Sequence, residues 1–153
     1  MIKKLFISLI VILFSMGSSN AQNPLNNSAD NIVGRYSGQY SGEKFQVKIV
    51  KLTNGTYRGQ MAWIEHDKDD SGNKLLDTKN PDHKLRNTPL DRVVIFSGLK
   101  YNPQKKQWGD TKIYDPQRGI KANLTITFDD KGQLRVRGSL MGIGQSVYWK
   151  KEI

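Results

Sequence analysis

The chain has 153 residues, of which 24 are Lys or Arg and 14 are Asp or Glu, so its formal net charge is +10. It contains no cysteine, which excludes a disulfide-stapled fold and a lipid anchor attached to a cysteine. Folding must therefore depend on burial of apolar surface, and the chain is long enough for one domain with a sizeable core.

Residues 1–21 have the organisation of a secretory signal peptide. Two lysines within the first four residues precede an apolar run over 5–14, and the small residues Ser19 and Ala21 precede a cleavage site at Gln22. The alternative is a transmembrane anchor, but the apolar run is shorter than the roughly 20 residues that a membrane span needs. We therefore predict a periplasmic or secreted protein, cleaved after Ala21, with no transmembrane segment in its mature chain.

The charge that remains after cleavage indicates the chemistry of possible partners. Removing 21 of the 153 residues, among them two lysines and no acid, leaves 132 residues with a net charge of +8. Such a charge favours contact with anionic envelope components, for example lipid headgroups. The alternative is a soluble surface whose charge serves only solubility. Nucleic acid is not expected as a partner of an exported protein.

Residues 22–31 are polar, rich in Asn and contain Pro24, and we predict that they form a flexible N-terminal tether. From residue 32 onward, apolar and polar residues alternate with a period of two, which is typical of strands with one buried face. The pattern predicts eight strands, over residues 32–40, 44–52, 56–64, 92–101, 107–114, 120–128, 133–140 and 145–151.

Short connections between the predicted strands indicate consecutive antiparallel hairpins. Asn54 and Gly55 form the strongest hairpin signal, since a two-residue primed turn needs positive φ at both positions. Such a meander closes into an eight-stranded antiparallel up-and-down β-barrel, so we predict an all-β fold with 32–153 as a single barrel domain. A two-sheet sandwich is the alternative, but it requires longer connections.

The interior of an eight-stranded barrel is either filled by side chains or holds one small ligand. Nine large residues are available to line or fill it: Tyr36, Tyr40, Tyr57, Met61, Trp63, Phe96, Trp108, Tyr114 and Trp149. A solid core and a narrow pocket are both compatible with this composition.

The connection over residues 66–91 is long and acidic. Asp67, Asp69 and Ser71 match the first ligand positions of a calcium-binding loop, and Asp77 lies one place before the position of the final acidic ligand. One hypothesis is therefore a calcium site formed by these four residues. The alternative, which we favour, is a solvated turn rich in Asp, Ser and Gly that binds no cofactor.

Three segments of the sequence resemble the exported bacterial domain-of-unknown-function family 2147. They are D-x-x-N-P-D over residues 77–82, I-Y-D-P-x-x-G over 113–119, and the segment 134–138 together with Trp149. The resemblance covers about residues 32–149 and implies a lipocalin-like barrel. It brings no established activity, cofactor or catalytic residue.

Both proline-containing motifs are typical of rigid turns, and a structural role is the simpler interpretation. The functional hypothesis is that polar residues of the two motifs meet at one mouth of the barrel, where they orient a ligand beneath a partial lid. Its ligand-binding candidates at the mouth or in the pocket are Trp63, Asp77, Asn80, Asp82, Arg86, Trp108, Tyr114 and Asp115.

These patterns favour a periplasmic lipocalin-like binding protein that holds a small apolar or anionic ligand in the barrel or at its mouth. One alternative is a cell-envelope interaction or structural protein that uses a basic outer face with Lys44, Lys48, Arg135 and Arg137. A hydrolase-like enzyme is the weakest alternative. No G-x-S-x-G or H-E-x-x-H motif is present, so we assign no catalytic residue, although Asp82 with Asp115 would form a carboxylate pair if held close.

Overall fold

The computed structural model describes residues 23–153. The predicted signal peptide, residues 1–21, lies outside the described residues. Within residues 23–153, no helix has the length and hydrophobicity needed to cross a membrane.

Eight antiparallel strands form a closed barrel in which each strand pairs with the next and β8 pairs with β1. The strands are β1 Gly34–Tyr40, β2 Glu43–Lys51, β3 Tyr57–Ile64, β4 Val94–Asn102, β5 Gln107–Asp115, β6 Ile120–Phe128, β7 Leu134–Leu140 and β8 Ile143–Lys151. The prediction of an all-β up-and-down barrel is therefore confirmed. The alternation of apolar and polar residues placed every strand end within two residues of its position in the structure.

The hairpin at Asn54 and Gly55 forms, but its turn differs from the prediction. Gly55 has φ 84°, whereas Asn54 is not among the residues with positive φ. The Leu52 N–H donates to the Thr56 carbonyl at 2.7 Å, so three residues form the loop. Asn54 has a different role, because its side-chain oxygen accepts hydrogen bonds from the Thr56 amide and hydroxyl. The loop thus combines an ordinary turn with a left-handed glycine.

The N-terminal segment, residues 23–32, is folded, which differs from the flexible tether expected over 22–31. Two short 3-10 helices, Pro24–Asn27 and Ala29–Ile32, cover one end of the barrel. Asn26 is only 1% exposed; its amide donates to the Phe128 carbonyl at 2.9 Å, and its side-chain oxygen accepts from the Phe128 N–H at 2.7 Å. The amide side chain thus pairs with the end of β6 as a neighbouring strand would. Composition alone indicated a tether, because the segment is mostly polar. The hydrogen-bond partners of these polar groups lie in the barrel strands, far away in the sequence.

Further hydrogen bonds fasten the same segment to the closed end of the barrel. The Trp108 indole N–H donates to the Ala29 carbonyl at 3.0 Å, and the Tyr101 hydroxyl donates to the Asn26 carbonyl at 2.6 Å. The Trp108 ring centroid lies 5.0 Å from that of Tyr101 and 5.8 Å from that of Phe128. The half of the barrel next to the N-terminal segment is therefore a solid aromatic core.

Candidate functional site

A cavity of about 670 Å³ occupies the other half of the barrel, next to its open end. The reason is a decrease in the size of inward-facing residues along β6 and β7. Phe128 and Leu134 are large and buried at the closed end, whereas Ala122 and Gly138 line the cavity. The volume lies within the range of about 300–1,000 Å³ that is typical of small-molecule sites.

The cavity floor is aromatic and its walls are aliphatic. Phe45 and Trp149 pack edge to face at the floor, with ring centroids 5.9 Å apart. A Cβ at Gly38 would lie 2.6 Å from the Trp149 ring, so glycine is needed there for the two rings to fit. The walls are formed by Met61, Ile95, Ile113, Val136 and Val147. This lining accommodates an apolar molecule and offers it few hydrogen-bond partners.

Arg118 brings together side chains from opposite sides of the mouth. It belongs to the turn after β5, and β5 lies opposite β1 in the ring of eight strands. Its guanidinium donates to the Tyr40 hydroxyl at 2.6 Å, stands 5.8 Å from the Tyr40 ring centroid, and lies 3.6 Å from an Asp115 carboxylate oxygen. A cation is therefore held across the opening by exposed contacts.

Glu43 and His66 form a second polar pair at the rim. The Glu43 carboxylate accepts from the His66 backbone N–H at 2.6 Å and lies 3.0 Å from His66 Nδ1. The hydrogen bond and the charge of Glu43 raise the pKa of His66 above its usual 6.5. Glu43, Glu65 and His66 each offer one atom that could bind a metal ion, and these three atoms lie within 4.8 Å of one another. Among residues 23–153, no other three His, Cys, Asp or Glu residues do so.

Four of the predicted site residues meet beside the cavity. The Tyr114 hydroxyl donates to one oxygen of the buried Asp77 carboxylate at 2.7 Å, and the Asn80 amide donates to the other at 2.7 Å. The Arg86 Nε–H donates to the Asn80 carbonyl at 2.8 Å. Burial, followed by the hydrogen bond to Asp77, raises the pKa of Tyr114. Tyr114 and its neighbour Asp115 line the cavity, whereas the other three fasten the long connection to β5.

Three predicted site residues lie elsewhere. Trp63 is 44% exposed and pairs with Gln46, on the outside of the barrel. Trp108 is fully buried in the core at the closed end. Asp82 is exposed, and its carboxylate accepts from the Lys84 N–H at the start of a 3-10 helix, His83–Leu85. Because Asp82 does not line the cavity, it forms no carboxylate pair with Asp115 there.

The residues of the calcium hypothesis are not brought together. One Asp69 oxygen accepts from the backbone N–H groups of Ser71 and Asn73, both at 2.9 Å. Asp67 forms an ion pair with Lys74, and Asp77 is bonded to Tyr114 as described above. Asp69 thus bonds local N–H groups and Asp67 bonds a lysine, so a solvated turn stays our prediction for this segment.

Sequence reasoning did not identify Glu43, His66 and Arg118 as residues of one rim. Each belongs to a different strand end or turn. Pairing of β2 with β3 brings Glu43 to His66, and closure of the barrel places Arg118 at the same rim. A signal for the cavity itself was present, since Ala122 and Gly138 are small residues at inward positions of the alternating pattern. Two small residues on paired strands leave space that neighbouring side chains do not fill.

Comparison with known proteins identifies the family of this chain. The family model for uncharacterized proteins conserved in bacteria, DUF2147, matches residues 34–151. The chain belongs to this family. The matched region begins at the first residue of β1 and ends at the last residue of β8, so the DUF2147 domain of this chain is the whole barrel.

A solved structure shows the same architecture. It is described as protein HP1028 from the human pathogen Helicobacter pylori, belonging to the lipocalin family. The two proteins are 26% identical, the match covers 79% of this chain and 82% of that chain, and the TM-score is 0.62. The DUF2147 barrel is therefore lipocalin-like, as the sequence resemblance implied. A search of curated proteins returned no match.

Proposed function

We propose that this DUF2147 protein is an exported binding protein that holds a small amphiphile, with its apolar body inside the barrel and its polar end at the rim. The observation that carries the proposal is the cavity of about 670 Å³ between the aromatic floor and the open end. A lipocalin-like barrel with an interior of this size has room for one small molecule.

The apolar part of the ligand is inferred from the lining. Aliphatic side chains and the Phe45–Trp149 floor surround most of the cavity. Transfer of apolar surface from water into such a site contributes about 25 cal/mol per Å². A fully polar ligand would instead lose its hydration without gaining hydrogen bonds.

The polar end is inferred from the rim. Arg118 and the Glu43–His66 pair stand at the opening, and their side chains are exposed or only partly buried. An anionic group at the mouth would compete with Asp115 for the Arg118 guanidinium, which offers five N–H donors in a planar fork. The ligand class that fits both regions is therefore an amphiphile with one anionic or polar head.

Export is the part of the proposal that rests on residues 1–21. N-terminal sequencing of the protein purified from its native cells tests it, and Gln22 is expected as the first residue. A first residue within the apolar run, or an intact Met1, would contradict cleavage after Ala21.

Native mass spectrometry and displacement of a fluorescent fatty-acid analogue test ligand binding. We expect a reproducible adduct on protein from native cells and probe binding by ligand-free protein. Ala122→Phe places a ring in the cavity and should abolish probe binding, whereas Asn123→Phe adds the same ring to the exposed side of β6 and should not. Absence of both adduct and probe binding, or equal binding by the two variants, would contradict the proposal.

A further inference from the structure

The turn between β7 and β8 exposes an unusual amount of apolar surface. Leu140 is 47% exposed, Met141 is 93% exposed and Ile143 is 80% exposed. The three side chains surround a two-residue turn at the open end of the barrel. Single exposed apolar residues are common on protein surfaces, but three at one hairpin tip form a patch that indicates an interaction site.

Comparison with the turn between β1 and β2 shows that neither packing nor turn geometry explains Met141. Both turns lie at the open end and both have positive φ at their two central residues, 49° and 81° at Ser41 and Gly42, and 51° and 78° at Met141 and Gly142. Such primed turns favour Gly, Asn or Asp at these positions. A long apolar side chain in a left-handed conformation, directed into water, stabilises neither the turn nor the core.

A basic outer face adjoins this tip. Strands β7, β8, β1 and β2 are consecutive neighbours in the closed sheet. Six of their exposed cations form this basic outer face: Arg35, Lys44, Lys48, Arg135, Arg137 and Lys150. Two further exposed cations, Lys51 and Lys151, end β2 and β8 at the closed end of the barrel and are not counted in it. None of the six forms an ion pair with another residue in the described part of the chain. The four strands contain one acid, Glu43, which is bonded to His66 at the rim.

The tip and the basic outer face share strands β7 and β8, so one orientation presents both to the same surface. Arg137 connects them, because its guanidinium lies against Gly144, at a position that a Cβ on that residue would occupy. Gly144 follows directly after Ile143 of the tip. The cation is thus held next to the apolar side chains rather than at a distance from them.

We propose that the β7–β8 tip and the basic outer face dock this protein on an anionic lipid bilayer. The cations would lie at the negatively charged headgroups, and Met141 and Ile143 would enter the interfacial layer of the membrane. The basic outer face fits an anionic surface, and the apolar tip fits an apolar layer. An anionic bilayer is the partner that has an apolar layer directly beneath its anionic surface.

Two other occupants fit less well. A second copy would bring six unpaired cations on one molecule against the same face of another, which is repulsive, and three side chains cover much less than the roughly 800 Å² per partner of a stable interface. An anionic polymer would bind the cations but would leave Met141 and Ile143 in water.

The position of the tip has one consequence that rests on the proposed function. Leu140 and Ile143 line the cavity as well as the tip. Docking would therefore bring the β7–β8 edge of the mouth to the membrane surface, where an amphiphile can pass between the bilayer and the cavity.

Co-sedimentation with vesicles tests the docking surface. The chain is expressed from its full sequence and purified in soluble form, and the vesicles are pure phosphatidylcholine or phosphatidylcholine with one third phosphatidylglycerol. We expect binding to the anionic vesicles that weakens as salt rises above about 0.1 M, where the Debye length is about 10 Å. Met141→Asn should weaken binding about tenfold, because it removes an apolar side chain that docking would bury in the bilayer. Arg137→Gln should weaken it about fivefold.

Matched variants separate docking from folding and from ligand binding. Asn suits the turn better than Met, so Met141→Asn should fold with an unchanged or higher melting midpoint. Ser41→Asn introduces the same residue at the equivalent position of the other primed turn and should leave vesicle binding unchanged. Ala122→Phe, which fills the cavity, should also leave it unchanged, so failure of the ligand proposal is distinguishable from failure of docking.

Several results would overturn the docking proposal. One is equal sedimentation with neutral and anionic vesicles, and another is binding that Met141→Asn does not weaken. A third is concentration-dependent dimerisation that Met141→Asn abolishes in a protein that binds no vesicles, because the tip would then serve self-association. Binding to an anionic polymer alone, unaffected by Met141→Asn, would assign the basic outer face to that polymer.

Discussion

The Tyr114 hydroxyl stands 2.7 Å from a carboxylate oxygen of Asp77, a residue 37 positions earlier in the chain. Asp77 is 1% exposed, so this hydrogen bond joins the long connection after β3 to the end of β5 in a site that water does not reach. A buried carboxylate needs such donors, because loss of one leaves an acceptor with neither a protein partner nor water.

We expect Tyr114→Phe to lower the free energy of unfolding by about 2–3 kcal/mol, since it removes the hydroxyl donor and leaves the Asp77 oxygen buried. Urea unfolding followed by tryptophan fluorescence measures the change. Tyr148→Phe is the matched control, because the Tyr148 ring is 50% exposed; a change of less than about 0.5 kcal/mol is expected there. Equal effects of the two substitutions would show that the Asp77 carboxylate does not depend on Tyr114.

A second prediction concerns closure of the barrel by Asn26. Its side chain bonds both backbone groups of Phe128, so Asn26→Ala leaves a buried N–H and a buried carbonyl unpaired. We expect a loss of about 2–4 kcal/mol in the free energy of unfolding. Asn27→Ala deletes the same group from an exposed position in the same helix and should cost less than about 0.5 kcal/mol. An equal cost for the two variants would contradict the pairing role of Asn26.

Period-two alternation predicted the fold because each strand has one buried face, but it does not determine which residues share a site. Trp63 shows the first reason. Gln46 pairs with Trp63 while Val47 pairs with Met61, so Ala62 is an extra residue in β3. This bulge moves Trp63 to the outer surface, whereas uninterrupted alternation would have turned it inward. A bulge leaves no mark in a single sequence.

Trp108 and Asp82 show two other reasons. The inward direction of Trp108 follows from alternation, but alternation does not give its depth along the barrel axis, and Trp108 lies in the solid half. Asp82 belongs to the long connection, which has no period, so its position depends on tertiary contacts. The Asp77, Asn80, Arg86 and Tyr114 group was predicted from motifs, and its members do meet.

The ionisation of His66 gives a third prediction. Its pKa is raised above 6.5 mainly by the hydrogen bond to Glu43, so the pair contributes stability that is fully present below about pH 6.5 and is lost as pH rises through the raised pKa. NMR titration of the His66 ring should give a midpoint above 6.5. Glu43→Gln should lower that midpoint, and Glu65→Gln should lower it less, because Glu65 acts only through its charge. A midpoint unaffected by Glu43→Gln would contradict the pairing.

Calcium provides the fourth prediction, and the expected result is no change. A calcium site with a dissociation constant of about 1 mM would raise the free energy of unfolding by about 1.4 kcal/mol at about 10 mM calcium, which a melting experiment detects. We expect equal midpoints with calcium and with chelator. The reason is that Lys74 already supplies a cation to Asp67 and, at 2.6 Å, to Asp91, and this pairing lowers the pKa of Asp67 and raises that of Lys74.

Lys74→Met makes this test sharper by removing the resident cation from both carboxylates. If Lys74 occupies the place of an ion, the variant should gain a calcium-dependent rise in its melting midpoint that the wild-type chain lacks. If neither chain responds, Asp67 and Asp91 do not converge closely enough to bind calcium even when unpaired. A calcium-dependent rise in the wild-type chain, reversed by chelator, would contradict the ion-pair interpretation, since the lysine would then have to leave before calcium could bind.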